Sequence, residues 1–278
     1  MAMALTIAQL SDIHCGSVLY EPSLMERAVE EILDLEPDLV IVAGDLTQEG
    51  YADEFQQARD ALRPLQEALL TVVVPGNHDA KNVGFVHFED HFGKGMNGKA
   101  DRVVNLRRED DPRQITVLGI DSSKPDLAEG EIGRERYDWI TSVFAEEADL
   151  KIFALHHHLV SVPGTGRERN IVWDAGDVLE LLEGSGVDLV LAGHKHVPHV
   201  WSVGDLLLVN SGTVSSYRTR GYTRPSYNVV QVTETEIDVT LVYPGSGQKH
   251  AANWDREGRR LTRNPELGAM FSKEAWGW

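Results

Sequence analysis

Short apolar runs alternate with longer amphipathic stretches through the first two thirds of the chain. The runs at 5–10, 39–43, 71–74, 115–120, 151–155 and 189–192 are rich in Val, Ile and Leu and are closed by polar or turn-forming residues, which predicts strands. Between them, apolar residues recur at helical spacing over 22–35, 52–69, 133–145 and 174–182, with Pro64 expected to interrupt the second helix. Strands alternating with helices are the pattern of an α/β protein. From His199 onward the period changes. Residues 199–203 and 206–209 flank Gly204-Asp205, a hairpin turn pair, and 227–232 with 236–242 reads as a second antiparallel pair. The sheet is therefore expected to end in antiparallel strands.

No Pro/Ser/Gly linker or low-complexity tract divides the sequence, so one domain is expected over 1–244. A tail over 245–278, carrying Trp254, Trp276 and Trp278 among charged residues, is expected to pack on the body or on a partner subunit of a homo-oligomer. The stretch 81–102, rich in Gly, His and Phe, reads as a long loop or short-helix insertion, a kind of segment that is often functional.

The bulk composition narrows the partners. A formal charge of -18 over 278 residues disfavours long nucleic acid, because tracking phosphates needs a basic stripe. An anionic substrate must instead be held locally. Cys15 is the single cysteine, so no intrachain disulfide can form. The first ten residues lack the features of a secretory signal, which gives a cytoplasmic expectation by default. No apolar run approaches the roughly 20 residues of a spanning helix, so no membrane partner is expected.

The chemistry lies where the strands end. Asp12 and His14 follow the first predicted strand, Asp45 the second, Asn77 and His78 the third, His156 to His158 the fifth, and His194 and His196 the sixth. In an open α/β sheet the carboxyl ends of the strands line the ligand crevice, so these five loops should converge. Each piece alone has a plain structural reading: Asp12 as a cap, Gly44-Asp45 and Gly76-Asn77 as turns, the histidine run as a strand end. Their conjunction in order after successive strands is what points to a metal site. A ligand set rich in His, with carboxylates and no thiolate, suits Mn, Fe or Zn, and Co or Ni, rather than Ca or a soft metal.

Here the sequence resembles the calcineurin-like metallophosphoesterase superfamily. Its ordered motifs D-x-H, G-D, G-N-H-[DE], an apolar strand ending in His, and G-H-x-H appear as Asp12-Ile13-His14, Gly44-Asp45, Gly76-Asn77-His78-Asp79, Leu155-His156 and Gly193-His194-Lys195-His196. The resemblance implies a four-layer αββα sandwich of two mixed β-sheets flanked by helices. It implies two divalent transition-metal ions, one on Asp12, His14, Asp45 and His196, the other on Asp45, Asn77, His156 and His194, with Asp45 bridging. His156 is chosen over His157 and His158 because the family's ligand directly follows the strand. Two cations about 3.5 to 4 Å apart share a bridging hydroxide and clamp phosphoryl oxygens during in-line displacement. His78 resembles the family's histidine that protonates the departing alkoxide, and Asp79 is expected to fix its tautomer.

The expected reaction is hydrolysis of a small phosphate ester. The protein phosphatases of the superfamily extend Gly-Asp into G-D-x-x-D-R-G, whereas this chain reads Gly44-Asp45-Leu46-Thr47-Gln48-Glu49-Gly50. That text is most similar to the class III cyclic nucleotide phosphodiesterase and glycerophosphodiesterase branch, which implies a phosphodiester. The fourth motif departs from that branch, with His157, His158 and Leu159 where prolines are usual. A phosphomonoesterase, a nuclease or a non-catalytic scaffold of the same fold are the alternatives. Arg167 and Arg169 are candidate substrate contacts, ahead of Arg218, Arg220 and Arg224, since guanidinium suits phosphate.

Overall fold

The computed structural model describes residues 4–107, 113–165, 170–220 and 223–264. In chain order the elements are β1 (Leu5–Leu10), α1 (Pro22–Leu35), β2 (Leu39–Ala43), α2 (Ala52–Ala68), β3 (Thr71–Val74), α3 (Gly84–Phe92), β4 (Arg102–Arg107), β5 (Gln114–Gly119), α4 (Tyr137–Phe144), β6 (Leu150–Ala154), α5 (Ala175–Gly184), β7 (Leu189–Ala192), β8 (His199–Val203), β9 (Leu206–Asn210), β10 (Tyr227–Val232), β11 (Glu236–Tyr243), β12 (Gly247–Asp255) and β13 (Arg260–Arg263).

Two mixed sheets result. One runs β13-β12-β11-β10-β1-β2-β3 and the other β4-β5-β6-β7-β9-β8. Parallel pairing joins β1 to β2 to β3 in the first and β5, β6, β7 and β9 in the second, while the flanking strands are antiparallel. The apolar residues divide into three interfaces, which makes four layers. Leu5, Ile7, Ile41, Val117, Ile152, Leu191 and their neighbours fill the space between the sheets. A second interface packs α1 and α2 on the first sheet, and a third packs α4 and α5 on the other. This is the αββα sandwich expected above.

Helix α1 shows how local sequence sets these layers. Pro22 opens it, where a missing N–H is harmless, and the Glu21 carboxylate accepts from the Ser23 N–H. Met25, Ala28, Val29 and Ile32 then form one buried stripe at helical spacing. In α2 the corresponding stripe is Phe55, Ala58, Leu62 and Leu65, and the helix runs on through Pro64. The expected interruption does not occur. Pro64 is exposed, and the burial of Leu62 and Leu65 on either side, about 1.5–3 kcal/mol each, offsets the missing hydrogen bond.

Two further segments depart from the sequence reading. The insertion contains α3 and, from Arg102, strand β4 at the edge of the second sheet. Beyond Gly245, β12 and β13 extend the first sheet by two strands, with Trp254 buried between the layers, so the sheet does not end at 244. Trp276 and Trp278 lie outside the described residues.

A buried polar network joins the two sheets next to the carboxyl ends of β1, β7 and β9. The Gln9 side-chain amide donates to the carbonyls of Ala192 at 2.9 Å and Val209 at 3.2 Å, and Asn228 donates to the Gln9 side-chain oxygen at 2.9 Å. Every partner is buried, so slippage of one sheet on the other would strand these groups at a cost of about 1–3 kcal/mol apiece. The network fixes the relation between the strand ends that carry Asp12 and His194.

Candidate metal centre

The loops after β1, β2 and β7 turn sharply to present their side chains. Asp12 (φ 56°), His14 (φ 57°), Asp45 (φ 53°), His194 (φ 75°) and His196 (φ 57°) all adopt left-handed backbone, a conformation rare outside Gly and concentrated at functional sites. Ladder-like hydrogen bonds hold it: Asp12 N–H donates to Gly44 O at 2.9 Å, His14 N–H to Asp45 O at 3.0 Å, and Gly193 N–H to His156 O at 2.9 Å. Close approach is bought with glycine. A Cβ on Gly76 would lie 2.2 Å from Asp45 Oδ1, and one on Gly193 only 1.8 Å from Ser11 Oγ.

Six of the seven ligand-type residues named above, Asp12, His14, Asp45, His156, His194 and His196, come together, and all seven are buried. Asp12, His14 and His196 form one group: His14 Nε2 lies 3.0 Å from His196 Nε2 and 3.9 Å from Asp12 Oδ1, and His196 Nε2 is 3.1 Å from the same oxygen. Asp45, His156 and His194 form another, with His156 Nε2 3.3 Å from Asp45 Oδ2 and 3.2 Å from His194 Nδ1. Asp45 stands between the groups, its Oδ2 also 3.8 Å from His14 Nε2.

The donor set fits divalent cations. Asp12 Oδ1 and Asn77 Oδ1 are buried without a hydrogen-bond partner, and such groups require an explanation. Two histidines have their free nitrogen selected by the backbone. His156 Nδ1 donates to Ala43 O at 2.7 Å and His196 Nδ1 to Arg218 O, which leaves both Nε2 atoms facing the carboxylates. Burial pushes His14 down to about 3 and His194 well below the ordinary histidine range, so both rings are neutral and offer lone pairs. His156 is the contrast: burial opposes its charge, yet the Asp45 carboxylate beside it prevails and raises it to about 9. Asp45 itself is held well below the usual carboxylate range, burial being outweighed by His156 and His78.

Asp79 departs from its expected task. Its carboxylate accepts from the N–H groups of Gly76 at 2.8 Å, Leu46 at 3.1 Å and Thr47 at 2.9 Å and from the Thr47 hydroxyl at 2.8 Å. It braces the loops after β2 and β3, and none of these bonds reaches His78. Burial, with the Asp45 charge adding to it, pushes its pKa up to about 7 against the pull of those bonds. His78 is instead partnered at Nδ1 by the Gln48 carbonyl, 2.5 Å away, with Lys81 Nζ at 3.0 Å. Its backbone N–H donates to Asp45 Oδ1 at 2.8 Å, and its ring meets His14 edge-on at 4.8 Å.

Of the histidine run, His156 faces Asp45 while His157 Nδ1 pairs with Ser122 Oγ at 2.8 Å. His157 and His158 both lie against the His194 ring, at centroid distances of 4.7 and 5.5 Å. Ser11 and Thr213 also serve the site: Ser11 Oγ donates to Asp12 Oδ2 at 2.6 Å, and the Thr213 hydroxyl to Asp12 O at 2.6 Å.

The family's sequence profile, that of the calcineurin-like phosphoesterases, matches residues 5–198, a span that holds every one of these ligand-type residues. The chain belongs to the calcineurin-like phosphoesterase family. Phosphoesterases of this family use divalent metals. A protein named "Probable cyclic nucleotide phosphodiesterase" from Rhodococcus erythropolis is 30% identical over 68% of this chain and 64% of its own length. One named "Probable glycerophosphodiester phosphodiesterase" from Arcobacter nitrofigilis is 28% identical over 55% of this chain and 56% of its own. The chain thus spans less than two thirds of either relative. A purple acid phosphatase from seeds of yellow lupin (Lupinus luteus) superposes with a TM-score of 0.68 at 13% identity, covering 91% of this chain and 53% of that one, a likeness of fold alone.

Arg167 and Arg169 lie outside the described residues. Arg218 belongs to the site through its main chain, by the carbonyl that holds His196. Arg224 is drawn away, its guanidinium 4.9 Å over the Tyr243 ring. Among the described residues no helix is long and apolar enough to cross a membrane.

Proposed function

We propose that the chain hydrolyses a small phosphodiester at a pair of divalent transition-metal ions, manganese, iron or zinc, with His78 protonating the departing alkoxide. Asp12, His14, Asp45 and His196 would hold one ion, and Asp45, Asn77, His156 and His194 the other. When bound, the ions supply Lewis acidity toward the phosphoryl oxygens and a water acidified enough to attack near neutral pH. The observation that carries the reading is Asp45, one buried carboxylate within reach of both histidine groups.

The chain's own residues do the rest. Ala43 O and Arg218 O fix which nitrogen His156 and His196 present, and Ser11 and the His194 N–H hold Asp12 Oδ2 so that Oδ1 faces inward. Neutral Asn77 adds no negative charge where a phosphate must approach. His78 has a backbone anchor on Asp45 and a ring nitrogen, Nε2, left over after Nδ1 is engaged, which suits it to hold a proton for the leaving group. A diester is supported by the names of both relatives and by the absence of the phosphatase Asp-Arg pair; a small one by the charge of -18.

The test is elemental analysis of the purified protein, followed by a panel of phosphate mono- and diesters assayed with Mn, Fe, Zn, Co and Mg. Metal bound in up to two equivalents, together with turnover of diesters, supports the reading. Active protein without metal overturns it.

A further inference from the structure

We propose that Lys81 is a positioning residue for His78, acting by locking the Gln48 carbonyl onto Nδ1 of the imidazole; this rests on the reading of His78 as the acid. His78 Nδ1 has two close neighbours, Gln48 O at 2.5 Å and Lys81 Nζ at 3.0 Å. A carbonyl only accepts, and a bare ring nitrogen against it would set lone pair on lone pair. Nδ1 therefore carries the proton and donates to Gln48 O. The lysine then has no acceptor on the ring. Its ammonium bonds go to Gln48 O and Glu49 Oε1, both at 3.1 Å.

Gln48 O thus takes two donors, one from His78 and one from Lys81, and its position fixes the ring that depends on it. Lys81 and His78 belong to the loop after β3, whereas Gln48 and Glu49 belong to the loop after β2, so the ammonium ties the two loops at the acid itself. Asn82 Nδ2 adds a parallel tie to Glu49 O at 2.9 Å. Gln48-Glu49 occupies the place of the phosphatase Asp-Arg pair, so this chain builds its contact to the imidazole from a main-chain oxygen and a lysine on the opposite loop. Lys81 is 28% exposed and its partner Glu49 41%, so the gain is geometric rather than a large Coulombic stabilisation. With Nδ1 committed, Nε2 is the only nitrogen that can exchange a proton with a leaving group.

The experiment compares wild type, Lys81→Met and Lys81→Arg as zinc-loaded proteins. Steady-state kcat is measured on an alkyl phosphodiester and on bis(p-nitrophenyl) phosphate, and ¹⁵N-histidine spectra report the His78 tautomer, assigned with a His78→Gln variant. Lys81→Met is expected to lower kcat on the alkyl ester about tenfold, a part of the roughly 10²–10⁴ that a general acid supplies, and to lower it less on the nitrophenyl ester. Lys81→Arg should restore most of the loss, since it keeps the donors. In the spectra, wild-type His78 should be protonated at Nδ1, and Lys81→Met should shift the ring toward a tautomer mixture.

A wild-type His78 whose Nδ1 carries no proton, or an Nδ1 signal unmoved by Lys81→Met, overturns the proposal whether or not any ester is turned over. So does an equal loss on both esters. If the spectra behave as expected while no ester is hydrolysed, the acid role of His78 fails and the lock on its ring stands. Melting curves identify a Lys81→Met protein that has simply unfolded, in which case Lys81→Leu, likewise without a donor, replaces it.

Discussion

Asp79 Oδ1 accepts both the backbone N–H and the hydroxyl of Thr47, at 2.9 and 2.8 Å, and so ties the loop after β3 to the loop after β2. Asp79→Ala would leave the N–H groups of Leu46, Thr47 and Gly76 buried without an acceptor, at about 1–3 kcal/mol each. The expected result is a fall in Tm of roughly 6 °C or more, accompanied by weaker metal retention. Calorimetry and elemental analysis check this together. A variant that keeps its Tm and its metal yet loses turnover would show that Asp79 acts on His78 after all.

Asp45→Ala should empty both metal positions, because one carboxylate serves both histidine groups. Wild-type Tm should rise on adding Mn or Zn, by the equivalent of about 2.7 kcal/mol at a hundredfold excess over Kd, and the variant's Tm should not. Retention of a full equivalent of metal by the variant would refute the shared-ligand assignment.

His78→Ala should keep its metal while lowering kcat by roughly 100-fold or more on an alkyl diester. The loss should shrink on p-nitrophenyl esters, whose leaving group departs without a proton. Equal losses on both, or metal lost in parallel with activity, would make His78 a structural residue.

Bis(p-nitrophenyl) phosphate should be hydrolysed at least as fast as a phosphoserine peptide, given the Gln48-Glu49 text where phosphatases carry Asp-Arg. Side-by-side kcat/KM values decide it. The reverse preference would exclude the diesterase assignment.

Much of this was legible because the parallel strands announce themselves. Runs such as Leu39–Ala43 are apolar at every position, and the residue that follows each run is fixed at the carboxyl end of its sheet, so the ligand-type residues could be placed from order alone. Strands β12 and β13 give no such signal. Gln248, Lys249 and His250 are polar in succession, and a strand at the sheet margin keeps its conformation through its neighbour's hydrogen bonds rather than its own apolar pattern. Lys81 and Asp79 were illegible as to role for a related reason. Both act on the other loop through main-chain atoms, and the sequence does not display which carbonyl or N–H a folded backbone will present.

The left-handed backbone at Asp12, His14, Asp45, His194 and His196 sets the site against the fold that carries it. Glycine at any one of these five positions would relieve roughly 1–2 kcal/mol of conformational cost while deleting a proposed ligand. On the proposed function, a gain in backbone ease at these positions is therefore a loss of the metal centre. A collection of variants sorted for thermal survival in the presence of a chelator should accordingly accumulate glycine at these positions, and one sorted for activity should not.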